Sequence, residues 1–198
     1  MTGMRDIVLE NLNEAHRALE DLRKSGSMLE TIANAGVDLG KALKSGQRVF
    51  SCGNGGSMCD AMHFAEELSG RFRDNRPGLP ATAISDVGHM TCVANDYGYD
   101  RVFSRYVEAH GREGDFLLAI STSGKSPSIL NAVEAAHGRS MKVIGLHGRQ
   151  GSPLDGVADY SICTPGGRYA DRVQELHIKV VHTLIELVER INFPDLYT

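Results

Sequence analysis

The amino-acid sequence predicts an α/β protein in which helices cover both faces of a parallel sheet. Short apolar, strand-like stretches alternate along the chain with longer helical ones, an order that builds βα units. The 198 residues suit one domain, and the sequence shows no internal repeat or linker that would divide them. The strand-like stretches are "RVFSC" (48–52), "TAIS" (82–85), "FLLAI" (116–120), "KVIGLH" (142–147) and "YSIC" (160–163).

Two helices precede the first strand, forming a helical extension over about residues 4–46 before an α/β core over about 47–192. In each helix apolar residues recur at steps of three and four, which places them on one face. A minimal sheet does not need this pair, so we expect it to cover an edge or to build an oligomer. The stripes are Met4, Val8, Leu12, Ala15, Leu19 and Leu22, then, after "SG" at 25–26, Met28, Ile32, Leu39 and Leu43.

Helical stretches over 57–70, 86–95 with 99–110, and 127–138 separate most of the strands. A last helix is predicted from about Arg168 to Ile191, and apolar residues occupy most of the circumference of its second half. A helix that is apolar nearly all round is buried on more than one side. We expect a neighbouring subunit to supply the second cover, which makes the protein a homo-oligomer.

Composition and charge exclude several classes of protein. A net charge of −4 offers no broad basic surface for nucleic acid. No apolar run approaches the roughly 20 residues that span a bilayer, and the amphipathic N-terminus does not resemble a secretory signal. We therefore expect a cytoplasmic protein without a membrane or nucleic-acid partner.

Two further groups of residues have ordinary interpretations. Four scattered cysteines without a CxxC pair are expected to be reduced and mostly buried: Cys52, Cys59, Cys92 and Cys163. The basic stretch "GRFRDNR", with Arg71, Arg73 and Arg76, is expected to lie on the solvated surface. One of its arginines could instead meet a phosphate or a partner chain.

The first candidate binding loop is "GNGGS", directly after the first strand. Asn54, Gly55 and Gly56 can adopt the positive φ of a tight turn and expose backbone N–H groups at the start of a helix. In open parallel sheets ligands bind beyond the carboxyl ends of the strands. The alternative is an ordinary turn between a strand and a helix.

The second candidate loop is "STSGKS" (121–126), after the third strand. Its hydroxyls, a glycine and Pro127 at the next helix start suit a phosphate dianion, which backbone amides and the helix dipole would also attract. The spacing differs from GxxxxGK[ST], so a nucleoside triphosphate is not implied. The alternative is a helix cap with a turn. The hydroxyls belong to Ser121, Thr122, Ser123 and Ser126.

Candidate chemistry begins with His63 and Glu67, which are four residues apart and so share one helix face. Such a pair can bind zinc or place an acid beside a base, although it is more often a surface contact. The last helix adds Gln174 and His182, whose separation along the helix axis is about 12 Å. The two could reach one ion between them, or one could serve the site of an adjacent chain. The sequence leaves both arrangements open.

Longer blocks resemble the sugar isomerase (SIS) domain family, and within it the enzymes that isomerise sedoheptulose 7-phosphate, over about residues 5–192. The resemblance implies a three-layer, flavodoxin-like fold with a five-stranded parallel sheet, assembled as a homotetramer with active sites at subunit interfaces. It also implies the first step toward heptose for lipopolysaccharide core. The blocks are "SCGNGGSMCDAMHFAEELSGRFRDNRPGLPA", "ISDVGHMTCVANDYGYD", "FSRYVEAHGREGD", "ISTSGKS" and "YADRVQELHIKVVH".

The same resemblance implies roles for individual residues. Proton transfer falls to Glu67 and His182, while Ser57, Arg71 and Asp171 match the family without a firm role. One Zn2+ per subunit is implied, with the ligands His63, Glu67, Gln174 and His182. The implied substrate contacts are Asn54, Gly55, Gly56, Glu67, Asn95, Asp96, Ser121, Thr122, Ser123, Ser126 and Gln174.

The resemblance implies aldose–ketose isomerisation, in which a base moves a proton between C1 and C2 of the sugar. Glu67 is the expected base and His182 the group that moves the proton on oxygen. Because a carboxylate bound to zinc is a weaker base, either Glu67 leaves the metal when substrate binds or the metal is structural. The competing hypothesis is a non-catalytic SIS module, of the replication-initiator-associating type, that binds a sugar phosphate or a protein.

Overall fold

The computed structural model describes residues 3–164, 166–167 and 169–197 as eight α-helices and five strands, with 3₁₀ turns at Tyr99–Arg101 and Pro194–Tyr197. The strands are β1 (Val49–Cys52), β2 (Ala81–Ala83), β3 (Phe116–Ser121), β4 (Lys142–His147) and β5 (Tyr160–Cys163). The helices are α1 (Met4–Lys24), α2 (Gly26–Lys44), α3 (Gly56–Ser69), α4 (Val87–Tyr97), α5 (Val102–His110), α6 (Pro127–Gly138), α7 (Pro153–Val157) and α8 (Ala170–Asn192).

The five strands form one parallel sheet in the order β2-β1-β3-β4-β5, which confirms the predicted fold. This order is that of flavodoxin-like sheets, in which the connections turn to opposite sides between β1 and β3. Cys52 at the end of β1 pairs with Ala119 of β3, so the loops that follow these strands begin at the same edge of the sheet. The fold therefore brings the two predicted binding loops together.

Helices pack on both faces of the sheet, around two apolar cores. Helices α2, α3 and α8 cover one face, where Leu118 and Ile144 point from the central strands. Helices α5 and α6 cover the other face, where Leu117 and Val143 point. Neighbouring residues of a strand thus enter opposite cores, as expected of a strand buried on both faces.

The second cover of α8 comes from within the chain, where the sequence led us to expect a neighbouring subunit. Gly36 and Gly40 of α2 let the backbone approach α8 closely: a Cβ atom at Gly36 would lie 2.6 Å from Leu187 Cδ1, and one at Gly40 would lie 2.9 Å from Ile191 Cβ. Helix α8 begins at Ala170, and the predicted start at Arg168 lies outside the described residues.

Three expectations about exposure need correction. On α1 only Ala18 and Leu22 are buried, so most of the predicted apolar stripe faces outward. The four cysteines are free, yet only Cys52 is buried, because Cys59 and Cys92 lie on outer helix faces. Arg76 is buried rather than solvated.

Among the described residues no helix is long and apolar enough to cross a membrane.

Candidate active site

The loop after β1 owes its shape to glycines. A Cβ atom at Gly53 would lie 2.3 Å from the carbonyl oxygen of Ser57, so no other residue fits this close turn. Gly55 has a φ of +57°, the left-handed conformation that glycine adopts without strain. Helix α3 begins at Gly56, so the loop presents free backbone N–H groups and the positive end of a helix dipole.

Asn54 joins the first predicted binding loop to helix α6 and to Tyr99. Its amide Nδ2 donates to Ser128 Oγ on α6 over 3.0 Å, and its Oδ1 accepts from the hydroxyl of Tyr99 over 2.8 Å. Both polar atoms of the side chain are therefore already bonded within the protein. The Asn54 side chain fixes the loop geometry, and no pattern in the sequence indicated its partner Tyr99.

The serine-rich loop after β3 is bonded to α7, a helix that the sequence did not predict. The carbonyl oxygen of Gly124 accepts from Leu154 N over 3.1 Å, and a Cβ atom at Gly124 would collide with Ser152 Oγ. Within the loop Ser121 Oγ donates to Ser126 Oγ over 3.2 Å. The loop ends at the start of α6, which gives an anion hydroxyl groups and a helix N-terminus together.

The predicted histidine and carboxylate groups of α3 and α8 do meet. His63 Nε2 lies 2.9 Å from His182 Nε2 and 3.5 Å from Glu67 Oε1, while His63 Nδ1 lies 3.1 Å from Glu66 Oε1. Two imidazole nitrogens this close need a shared proton or a cation between them. His182 and Glu67 therefore meet at Nε2 of His63, and Glu66 lies at Nδ1 of the same ring.

Burial shifts the pKa values of Glu67 and His182 in opposite directions. Burial and the neighbouring Glu66 carboxylate raise the pKa of Glu67. Burial and the adjacent His63 ring lower the pKa of His182. Loss of water disfavours the charged form of either group. At neutral pH Glu67 is thus a stronger base than an ordinary carboxylate, and His182 is a neutral imidazole.

Atoms around His63 have spacings that suit metal ligands. Nitrogen and oxygen ligands at about 2.0–2.1 Å from a tetrahedral zinc ion lie roughly 3.3 Å from each other. The His63–His182 and His63–Glu67 separations of 2.9 and 3.5 Å bracket that value. His63, Glu66 and Glu67 also form a group whose ligand atoms all lie within 4.8 Å of one another. His182 contacts His63 but is not in this group of described residues. Imidazole and carboxylate donors are those zinc prefers.

Gln174, the fourth predicted ligand, lies elsewhere in this chain. Its side-chain amide sits over the start of α3, where a Cβ atom at Gly56 would be 2.5 Å from Gln174 Nε2. His63 is seven residues further along α3, or about 10.5 Å. Gln174 thus faces the glycine loop, and its role as a metal ligand stays a prediction that needs another chain or a rearrangement.

The remaining predicted residues lie on α3, α4 and α8 and in the loop after α3. Asn95 and Asp96 are exposed at the end of α4, where Asn95 Nδ2 donates to Asp96 Oδ1 over 2.7 Å. Ser57 is buried in the first turn of α3, and Arg71 and Asp171 are exposed.

Comparison with known proteins identifies relatives of the whole chain. The model of the SIS domain family matches residues 11–148. A phosphoheptose isomerase of Yersinia pestis (strain Pestoides F) is 57% identical over 185 residues, which cover 93% of this chain and 96% of that protein. Among solved structures, the phosphoheptose isomerase of Neisseria gonorrhoeae is 37% identical with a TM-score of 0.86, covering 94% of this chain and 99% of that one. A phosphoheptose isomerase from Francisella tularensis is 35% identical with a TM-score of 0.87, and covers 95% and 99%.

Proposed function

Because this chain belongs to the SIS domain family, and within it to the phosphoheptose isomerases, we propose that it converts sedoheptulose 7-phosphate into D-glycero-D-manno-heptose 7-phosphate. The observation that carries the proposal is the convergence of Glu67 and His182, from two different helices, beside His63. A binding module without chemistry would not need a carboxylate and an imidazole aligned in this way. The product would feed the heptose of lipopolysaccharide core.

The reaction needs a base for the C1 proton of the ketose. Removal of that proton gives an enediolate, and return of the proton to C2 gives the aldose. Glu67 is the proposed base, because its raised pKa moves it toward the operating pH, where a general base is most effective. Its side chain is only 17% exposed, which also limits competing solvation.

Proton movement between the two sugar oxygens falls to His182 in this proposal. O1 must lose a proton while O2 gains one, so the group responsible has to accept and donate in turn. A neutral imidazole can do both, and the lowered pKa of His182 keeps it neutral at pH 7. The contact of 2.9 Å with His63 orients its ring.

The phosphate end of the substrate is assigned to the serine-rich loop, with its hydroxyls and the N-terminus of α6 as donors. Gln174 over Gly56 is positioned to contact the carbon chain near the glycine loop. Asn95 and Asp96 are proposed to bind sugar hydroxyls, consistent with their exposed side chains.

We propose Zn2+ as the cofactor, held by His63, Glu67 and His182, with Gln174 as a further ligand. When bound, zinc supplies a positive charge that polarises a substrate oxygen. The carboxylate of Glu67 then has two partners, and we favour a labile contact that releases it as the base. The separations around His63 support the site.

A homotetramer is the proposed assembly. Helix α1 carries an exposed apolar stripe, and a groove of about 380 Å³ lies between α1, α2 and α8 with lining residues that include Leu19, Leu29 and Val180. A second copy of the chain would bury this apolar surface. A cytoplasmic location remains the expectation from the sequence.

Proton exchange tests the proposed function directly. The purified protein is incubated with sedoheptulose 7-phosphate in D₂O, with and without a chelator, and the C1 and C2 protons are followed by NMR. We expect an aldose signal and deuterium at the reacting carbon, both lost or slowed with chelator. Binding of the sugar phosphate without exchange would contradict the proposal and favour a binding module.

A further inference from the structure

We propose that Arg76 and Glu189 position Glu67 for proton transfer by fixing the end of α3 against α8. The inference rests on the proposed isomerase function. Arg76 lies in the loop that follows α3, and Glu189 lies on α8. Arg76 Nε donates to Glu189 Oε1 over 2.7 Å, so the pair ties together the two helices that carry Glu67 and His182.

Arg76 also caps the helix that carries the base. Its guanidinium donates to the carbonyl oxygens of Glu67 (2.6 Å), Leu68 (2.7 Å) and Gly70 (3.0 Å). The last carbonyls of a helix have no partner within the helix, and a cation is favoured there. The bond to the carbonyl of Glu67 fixes the backbone of the proposed base itself.

Both charges of this pair are removed from water, since each side chain is only 1% exposed. The remaining carboxylate oxygen of Glu189 accepts from the hydroxyl of Tyr197 over 2.6 Å. Moving two charges out of water costs energy that their attraction often only balances. Stability alone therefore does not account for an arginine and a glutamate here. A requirement for defined geometry does.

The positions along the helices explain how the pair acts on the site. Glu189 lies seven residues beyond His182 on α8, or about 10.5 Å along the axis. The His63–His182 contact is one point of attachment between α3 and α8, and the Arg76–Glu189 pair is a second. These two polar attachments add to the apolar packing of α3 against α8 and restrict sliding or rotation of the helices relative to each other.

The neighbouring ion pair of Arg73 and Glu186 is much more exposed than the pair of Arg76 and Glu189. Arg73, in the same loop, contacts Glu186 of α8 over 2.9 Å, but the two side chains are 52% and 27% exposed. Solvated pairs of this kind hold geometry weakly. Arg73 also donates to no carbonyl of α3 among the bonds of the described residues. Arg76 is thus the arginine of this loop that determines the position of Glu67.

The test separates positioning from stability with three variants. Glu189→Gln keeps the shape and one acceptor, Arg76→Lys keeps the charge without the planar fork, and Arg76→Met with Glu189→Met replaces the pair by apolar side chains. The control is Glu108→Gln, which removes a partly exposed carboxylate on α5 that pairs with Arg101 and Arg105. For each, kcat, KM and the melting temperature are measured on protein that elutes like wild type.

We expect kcat to fall about tenfold or more in all three variants, since small misplacements of a catalytic group are costly. KM should change less than about twofold, because the phosphate loop is built by β3, α6 and α7 and not by this pair. The double Met variant should recover the melting temperature but not kcat. Recovery of kcat together with stability, or an unchanged kcat in Glu189→Gln, would overturn the inference.

A second measurement does not depend on turnover. In metal-free protein labelled with [15N]histidine, the ring signals of His63 and His182 should shift in Glu189→Gln and in the double variant, and stay in place in Glu108→Gln. Unchanged signals in all variants would refute positioning. A wild-type protein that exchanges no substrate proton would instead refute the proposed function, and the histidine signals would still decide the inference.

Discussion

Glu67 and His182 lie on different helices, and burial raises the pKa of Glu67, which makes its carboxylate more basic, and lowers the pKa of His182, which favours the neutral ring. The raised pKa of Glu67 and the lowered pKa of His182 share one cause, the loss of water at the surface between α3 and α8. A carboxylate and an imidazole with opposite shifts are a common pattern in active sites. Here the pattern depends on the packing of two helices.

Glu67→Gln is expected to lower turnover at least 100-fold, because an amide cannot accept the C1 proton and general base catalysis contributes about 10²–10⁴-fold. The assembly should survive, since the change is isosteric. Proton exchange by NMR and size-exclusion chromatography measure the two outcomes. The matched control is Glu134→Gln on the exposed face of α6, and a Glu67→Gln protein with wild-type exchange would remove Glu67 from its role.

His177 is the least expected residue of α8. It is fully buried, and neither ring nitrogen has a hydrogen-bond partner of good geometry among the described residues, although the backbone of His147 lies nearby. Burial lowers the pKa of His177 to about 3. The folded protein therefore keeps this ring neutral in a pH range where the unfolded chain protonates it.

Stability is predicted to fall as the pH decreases from about 6.5, the value for the unfolded chain, toward about 3. In that window the unfolded state binds one more proton than the folded state. The free energy of unfolding therefore falls by up to about 1.4 kcal/mol for each pH unit. His177→Leu should abolish this contribution and leave stability at pH 7 equal or higher. Urea unfolding at pH 7 and pH 5, at fixed protein concentration, measures it, with the exposed His137→Leu as the control. Equal pH dependence in wild type and His177→Leu would contradict this account.

At the scale of elements, the contact between α2 and α8 depends on two small residues. Gly36 and Gly40 lie one turn apart, and Leu187 and Ile191 of α8 pack directly against the α2 backbone at these positions. Glycine normally weakens a helix by about 1 kcal/mol relative to alanine. Its presence twice in the middle of α2 is explained by the close approach of α8.

Gly36→Ala is predicted to destabilise the protein by about 1–3 kcal/mol, because the new methyl group would overlap Leu187 Cβ at 2.7 Å. Gly26→Ala is the matched control in the same helix, since its Cβ atom would meet nothing within 4 Å. Chemical denaturation of both variants at equal concentration compares them. A Gly36→Ala protein as stable as Gly26→Ala would show that the helices can separate at no cost.

At the scale of the whole molecule, α1 is a helix whose apolar face stays exposed in the single chain. Val8 and Leu12 are 59% and 65% exposed, although their spacing is that of a buried helix face. An exposed apolar stripe of this kind marks an interaction surface. The covering surface proposed here is a second copy of the chain.

Size-exclusion chromatography with light scattering should give about 86 kDa, four times the chain mass of 21.5 kDa. Replacing Val8 and Leu12 together by Glu should yield a smaller species, because a charge at each position opposes burial of the stripe. Glu10→Gln on the same helix serves as the control. A wild-type monomer, or a double variant of unchanged mass, would contradict the predicted assembly.

The sequence alone determined the α/β class, the five strands and the two loops at their carboxyl ends, since apolar periodicity and glycine positions act over a few residues. It also placed His63 and Glu67 on one helix face. The tertiary structure decided that Arg76 is buried, that Gln174 covers Gly56 and that α2 packs closely against α8. Arg76 and Glu189 are 113 residues apart in the chain. Local sequence patterns indicate which side chains are buried. The order of the strands and the packing of the helices decide which distant residues bury them.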